Sequence, residues 1–303
     1  MNLSSIVYKK YWEAAIEAIS QYIVSGIFQG AVYALIAVGI VIIFKATKVF
    51  NFAQGHLLMM GVLLSYIFIH QFGIWIAIPL TIVCAIGIGY IMERVALRPL
   101  IGQSHVSALL MTLALAYLLD GIAIIFWGTK IMPYPQWFPE QKFPFLAIEV
   151  SSGYVWTILI AVIIFIGLAF FYRRSKMGKS MRATAESHQV SQSLGIKVTN
   201  IFSLCWILAA VIGFIMALFF GVHVGAFRYI SEWGFKAIPA VLIGGLDSIV
   251  GAIVGGLLVG ILEVIATVYL GAAIGNIFPF IILLIVILIK PYGLFGQVEV
   301  VRV

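Results

Sequence analysis

Apolar residues fall in long blocks along the chain, and polar residues gather at the joints between them. A helix rises about 1.5 Å per residue, so crossing roughly 30 Å of hydrocarbon takes about 20 mostly apolar residues. On that measure the blocks predict spans at about 22–44, 53–71, 74–92, 106–127, 153–172, 201–222, 251–270 and 276–290, the last short for a full crossing. A further apolar piece, Ala237 to Gly245, is too short to cross as a helix. It predicts a half-helix, which is tolerated only inside protein or along a cavity. Ahead of the first span the pattern turns amphipathic. Tyr8, Trp12, Ala15, Ile16, Ile19 and Ile23 share one side, and Lys9, Lys10, Glu13, Glu17 and Gln21 the other. Residues 1–21 therefore suit an N-terminal helix lying in the membrane interface, or equally the polar start of the first span. The expected fold is an all-α integral membrane protein. It has one domain over 22–303, a polytopic bundle of about eight spanning helices plus short half-helices.

Composition narrows the class. The 303 residues are 63% hydrophobic and 10% charged, whereas soluble domains carry about a quarter charged residues. A water-soluble fold is excluded. The net charge of +7 does not point to nucleic acid, because the basic residues sit beside spans, where they mark the cytoplasmic side. The expected neighbour is membrane lipid. Arg173, Arg174, Lys176, Lys179, Arg182 and Lys197 crowd one joint, and Arg94 and Arg98 follow the third span. In 128–152, Lys130 and Lys142 are offset by Glu140 and Glu149, among Pro133, Pro135, Pro139 and Pro144. So 93–105 and 173–200 are expected inside and 128–152 outside. Lys290 places the C-terminus inside, while Lys9 and Lys10 leave the N-terminal side open. Cys84 and Cys205 lie in apolar runs, which suits small buried residues better than a disulfide or metal pair. The first 20 residues show no long apolar core with a small-residue cleavage site, so entry is expected through the first span.

Several polar residues interrupt the apolar blocks. "KVFNFAQGHLLMMG" and "AIPAVLIGGLDSIVGAIVGG" both break where a helix should continue. Such breaks in corresponding parts of two halves point to a repeat-built transporter and its pathway. The candidate pathway residues are Asn51, Gln54, Gly55, His56, Gly244 and Gly245. The alternative for the first group is local capping of the next helix, with Asn51 as the cap. Glu263 lies about 18 Å along its helix from Gly251, near mid-membrane, and joins the list because intramembrane carboxylates are functional candidates. Asp120 is a second such carboxylate, or a paired group that locks helices together. Asp247 follows two glycines and suits a turn. Gly251 with Gly255, and Gly256 with Gly260, have the spacing that lets helix backbones approach closely. No phosphate-binding GxxxxGK[ST], no HExxH and no GxSxG occurs, so no enzyme site, catalytic residue or metal site is expected.

The polar joint "RRSKMGKSMRATAESHQVSQSLGIKVTN" places Met181, Ala185, Val190 and Leu194 at a loose helical spacing, with Gly195 as a stop. It is either a solvated positive-inside loop or a short basic helix on which a soluble motor could dock, with Glu186 facing a basic residue of that partner.

Taken in order, these stretches resemble permeases of the branched-chain amino acid type of ABC importer. The resemblance rests on "GAVYALIAVGIVIIFKATKVFNFAQGHLLMMG", "MERVALRPL", "MGKSMRATAESHQVSQSLGI", "AIPAVLIGGLDSIVGAIVGGLLVGILE" and "KPYGLFG", and covers most of the chain from residue 25 onward. It implies a second permease chain, homologous or identical, two cytoplasmic ABC ATPases, and an extracytoplasmic solute-binding protein. ATP and Mg would sit on the ATPases, with no cofactor on this chain. It implies location in the cytoplasmic membrane of a prokaryote. It also implies that the loop 177–196 docks on the ATPases through Arg182, Ala183, Ala185, Glu186, Leu194 and Gly195, while Ser187, His188 and Gln189 look less constrained. The solute would be branched-chain or other amino acids, or urea or short amides as in other members of the class. Two rivals stand beside it. "NFA" at Asn51–Ala53 resembles the half-helix motif of water and glycerol channels, although no matching second copy occurs. A proton-coupled carrier could use Glu263, Asp120 or His56.

Overall fold

Within hydrocarbon a chain must satisfy its own backbone groups, and helices do so segment by segment. The computed structural model describes residues 3–145 and 148–296, and these residues are mostly helical. The helices are α1 (Leu3–Thr47), α2 (Gln54–Phe72), α3 (Ile74–Ile91), α4 (His105–Trp127), α5 (Ser152–Arg174), α6 (Lys176–Glu186), α7 (His188–Ser193), α8 (Val198–Val224), α9 (Glu232–Gly244), α10 (Ile249–Leu270) and α11 (Ala272–Ile289). Eight of the described helices are long and apolar enough to cross a membrane, which is the expected number. The 45 residues of α1 form one unbroken helix about 68 Å long, more than twice the hydrocarbon thickness. Among the described residues, no backbone break separates 3–21, within the expected interfacial helix 1–21, from the first span. The side chains up to residue 16, on which the interfacial reading mostly rests, lie outside the described residues. α3 runs on through a π-helical turn, Met92–Leu97, and a 3-10 turn, Arg98–Leu100. In the 128–152 joint, β1 (Lys142–Phe145) and β2 (Ile148–Ser151) pair as an antiparallel hairpin.

α1, α2 and α8 form the centre, and α3, α4, α5 and α11 are peripheral. Tyr33, Trp206, Phe214 and Phe220 are fully buried among them. α10 packs on two neighbours through its glycines. Gly256 and Gly260 face Ala34 and Gly30 of α1, and Gly251 and Gly255 face Gly244 and Ala240 of α9. A Cβ on Gly256 would lie 2.5 Å from the Ala34 Cα, so the small-residue spacing is a requirement of close helix approach.

Two expectations are revised. The half-helix begins at Glu232, five residues ahead of the apolar piece. Lys236 lies inside it because its charge is answered by Glu263 at 2.9 Å, so apolarity alone marked the start too late. The polar joint is also two helices, not one. Ser187 is extended (φ −156°, ψ 119°), and its Oγ accepts the Val190 N–H. Capping at a helix N-terminus competes with helix continuation at Ser187 and turns the chain. The second of these helices stops as expected. Gly195 has φ +80°, the Ile196 N–H bonds Ser191 O at 3.0 Å, and the Gly195 N–H bonds Gln192 O at 2.9 Å, a Schellman end. The C-terminal "KPYGLFG" folds back onto the half-helix. The N–H groups of Leu294 and Phe295 bond Ile243 O at 2.7 Å and Gly244 O at 3.1 Å, filling carbonyls that the end of α9 leaves open.

Candidate functional site

The joint 173–200 divides into an inward and an outward side. Ser175 caps α6 through the Gly178 N–H at 2.8 Å. Gly178 lies where a Cβ would come within 2.5 Å of Tyr172 O, so α6 lies hard against the end of α5. Arg182 turns inward: its guanidinium donates to Tyr172 O and stands over the Tyr172 ring. Met181 and Thr184 are buried beside it. Ala183 and Ala185 are half-buried, while Glu186 and Gly195 are exposed. Leu194 is 72% exposed and Val190 58%. His188 is the tie to the bundle. Its Nε2 is 2.9 Å from Ala46 O at the end of α1, and its ring meets Phe202 edge-on. The Ser187–Gln189 stretch, expected to be the slack part, holds the corner and its anchor.

The "NFAQGH" break folds into a knot of amides. Asn51 Oδ1 accepts the Ala53 N–H at 3.0 Å, Asn51 Nδ2 donates to Gln54 Oε1 at 3.1 Å, and Gln54 Nε2 donates to Ala209 O at 3.0 Å. Asn51 is 0% and Gln54 1% exposed. Buried amides must find partners, and here they pin the start of α2 to α8. In this conformation they offer no surface to a solute; Asn51 is not the helix cap, which is Ala53, but closes the turn just ahead of it. Gly55 meets Gly234 of α9, where an added Cβ would lie 2.6 Å from the Gly234 Cα. Gly244 and Gly245 serve packing too, against Gly251 and Gly296. Lys48, in the left-handed region at φ 56°, reaches Asp247 in the turn after α9 at 3.3 Å.

Glu263 is 3% exposed and fully engaged. Oε1 accepts from Lys236 Nζ at 2.9 Å and Oε2 from Tyr33 OH at 2.7 Å; Lys236 also donates to Asn276 Oδ1 at 2.8 Å. This network joins α1, α9, α10 and α11. His56 belongs to a different cluster. It lines a cavity of about 160 Å³ together with Tyr117, Asp120, Arg228, Tyr229 and Glu232. There Arg228 Nη1 donates to Asp120 Oδ2 at 2.7 Å. On the side of the basic joint, Glu93 is 1% exposed, takes the Arg98 fork at 3.0 and 2.8 Å, and accepts from Ser203 Oγ at 2.6 Å. A second cavity, about 290 Å³, opens beside Arg98, His105 and His188. Among the described residues no group of three or more His, Cys, Asp or Glu could hold a metal.

Paired and buried charges, glycine-packed spans and a half-helix describe a polytopic membrane bundle, and its relatives narrow the class. The sequence model of the family described as "Branched-chain amino acid transport system / permease component" matches residues 22–287. The chain belongs to this family. The permease is 30% identical to the high-affinity branched-chain amino acid transport system permease protein LivH of Escherichia coli, over 93% of this chain and 97% of that one. It is 28% identical to the corresponding permease BraD of Pseudomonas aeruginosa, with the same coverage. A probable branched-chain amino acid transport permease LivH of Methanocaldococcus jannaschii is 28% identical over 86% of this chain and 88% of its own. The permease is thus a multi-pass membrane transport protein.

Sequence reasoning missed three residues that the permease uses: Arg228, Lys236 and Tyr33. Arg228 and Lys236 sit between apolar blocks, in a stretch assigned to no span. Tyr33 lies inside a block and reads as ordinary apolar filling. The signal available was charge balance. Asp120 and Glu263 each needed a cation at similar depth, and the stretch between the sixth and seventh expected spans held the two that meet them.

Proposed function

We infer that the permease is the membrane half of an ATP-driven importer that carries an amino acid inward, with a branched-chain side chain as in the names of its relatives. A second permease chain, two ABC ATPases and an extracytoplasmic solute-binding protein complete the assembly. ATP and Mg sit on the ATPases, in the cytoplasmic membrane of a prokaryote. Residues 173–200 and the C-terminus face the cytoplasm. The carrying observation is the joint 173–200. It is a capped, two-helix corner, anchored by Arg182 on Tyr172 and His188 on Ala46, that leaves Glu186, Val190 and Leu194 outward. A merely solvated loop needs no such anchoring. When the ATPases close on ATP, the corner moves with them and carries the ends of α5 and α1. ATP drives transport only because it favours one of the two states.

The test is co-purification from detergent. Glu186→Ala and Gly195→Trp are expected to lose the ATPases or to lose solute-stimulated ATP hydrolysis. Retention of ATPase at wild-type yield with unchanged stimulated hydrolysis would overturn the docking assignment.

A further inference from the structure

The cavity beside His56 has a chemistry that the packing of the bundle does not require. Asp120 and Arg228 form its ion pair, with side chains 21% and 23% exposed. That pair is incompletely satisfied. Asp120 Oδ1 and Arg228 Nε are buried without hydrogen-bond partners among the described residues, as is His56 Nδ1. His56 is 6% exposed and lines the same cavity. Buried polar atoms are nearly always paired, so orphans grouped around one cavity call for an explanation. The apolar wall is supplied by Leu113, Ala116 and Phe235.

Size and place are both suitable. The cavity of about 160 Å³ has room for a small organic molecule, since a cavity of roughly 150 Å³ accepts benzene. Asp120 lies seven residues before the end of α4, about 11 Å in from the side assigned outward. His56 lies 16 residues before the end of α2, about 24 Å from that same side, so the cavity spans the middle of the membrane, on the path of a crossing solute.

We propose that the Asp120–Arg228 pair and the cavity beside His56 form an acceptor site for a zwitterion within the membrane. The solute carboxylate takes the Arg228 guanidinium, its ammonium takes the Asp120 carboxylate, and its aliphatic side chain rests on Leu113, Ala116 and Phe235. No covalent step is involved. The exchange replaces one ion pair by two, so no charge is stranded in a low-dielectric site, where a lone charge is costly. A neutral amide of the same shape cannot make that exchange and must enter beside an intact pair. The site therefore selects amino acids over urea or short amides. The inference rests on the amino-acid importer reading and adds its recognition chemistry.

The experiment uses the complete importer in proteoliposomes, with L-leucine as the zwitterion and isovaleramide as its uncharged analogue. Arg228→Gln, Arg228→Lys and Asp120→Asn are expected to raise the KM for leucine about tenfold or more, the worth of a lost charged hydrogen bond. The double variant D120R/R228D is expected to recover thermal stability, because the pair is restored, without recovering the leucine KM, because the orientation is reversed. Its stability keeps the test informative if the single variants fold poorly. A wild-type KM in Arg228→Lys and Asp120→Asn overturns the site. So does a charge swap that restores stability and uptake together, which would make the pair a clasp only. If the wild-type importer carries isovaleramide and no amino acid, the amino-acid reading falls along with this one. If it carries leucine and the variants do so equally well, only this inference falls.

Discussion

At the scale of single residues, the buried charges decide stability. Glu263 is held by Lys236 and Tyr33, and the pair is unequal in exposure: Glu263 is 3% exposed and Lys236 27%. Removing one partner of a buried pair leaves the other uncompensated, typically at 3–5 kcal/mol. Because Lys236 keeps some exposure, Glu263→Leu is expected to destabilise the fold by about 3 kcal/mol, the low end of that range. Glu263→Gln keeps hydrogen-bonding oxygen and should cost less. The double variant Glu263→Leu/Lys236→Met should regain most of the loss. Thermal unfolding in detergent measures all three, and a double variant no more stable than Glu263→Leu would refute the pairing. Depth in an apolar block was enough to single out Glu263 from sequence. Its partner was legible only as a charge to be balanced, not as a position, because Lys236 lies 27 residues away in the chain and a through-space pair leaves no local pattern.

At the scale of elements, backbone proximity replaces the hydrophobic stripe. Inside lipid there is no solvent to force apolar faces together, so helices associate by close packing and polar contacts. α1 and α10 do so where Gly30 meets Gly256 and Gly260, and where Gly26 meets the Ile261 backbone. A Cβ at Gly260 would fall on the Gly30 backbone, and overpacking of this kind costs about 1–3 kcal/mol. Gly260→Ala is expected to lose about that much stability, and Gly260→Leu to prevent recovery of folded permease. Size-exclusion yield and thermal unfolding would show it, and a normal Gly260→Leu yield would mean that the helices do not meet there. The glycine spacing made this contact legible in advance. The corner at Ser187 was hidden for a different reason. Met181, Ala185, Val190 and Leu194 keep a near-helical rhythm straight across it, and only the Ser187 hydroxyl, capping Val190, interrupts the backbone. An apolar rhythm reports faces, and a single capping side chain can override it.

At the scale of the whole molecule, the count of spans was legible and their arrangement was not. Each span is apolar all round, so nothing in its sequence tells a central helix such as α8 from a peripheral one such as α5, although 72% of one and 11% of the other is buried. Sidedness is a different matter, because it is written in charge. Basic residues crowd 173–197, whereas in 128–152 they are balanced by acids, and the positive-inside rule therefore predicts 173–197 on the cytoplasmic side. The importer reading needs that sidedness, since ATPases can grip the corner at Ser187 only from the cytoplasm. In a background of Cys84→Ala and Cys205→Ala, which removes both native thiols, Glu140→Cys and Lys179→Cys place one thiol at an exposed position on each side. A membrane-impermeant maleimide applied to intact cells is expected to label the Glu140→Cys variant. It should reach the Lys179→Cys variant only after the membrane is opened. The reverse pattern would put the anchored corner outside, away from ATP, and with it would go the Arg182 and His188 anchors as a drive train.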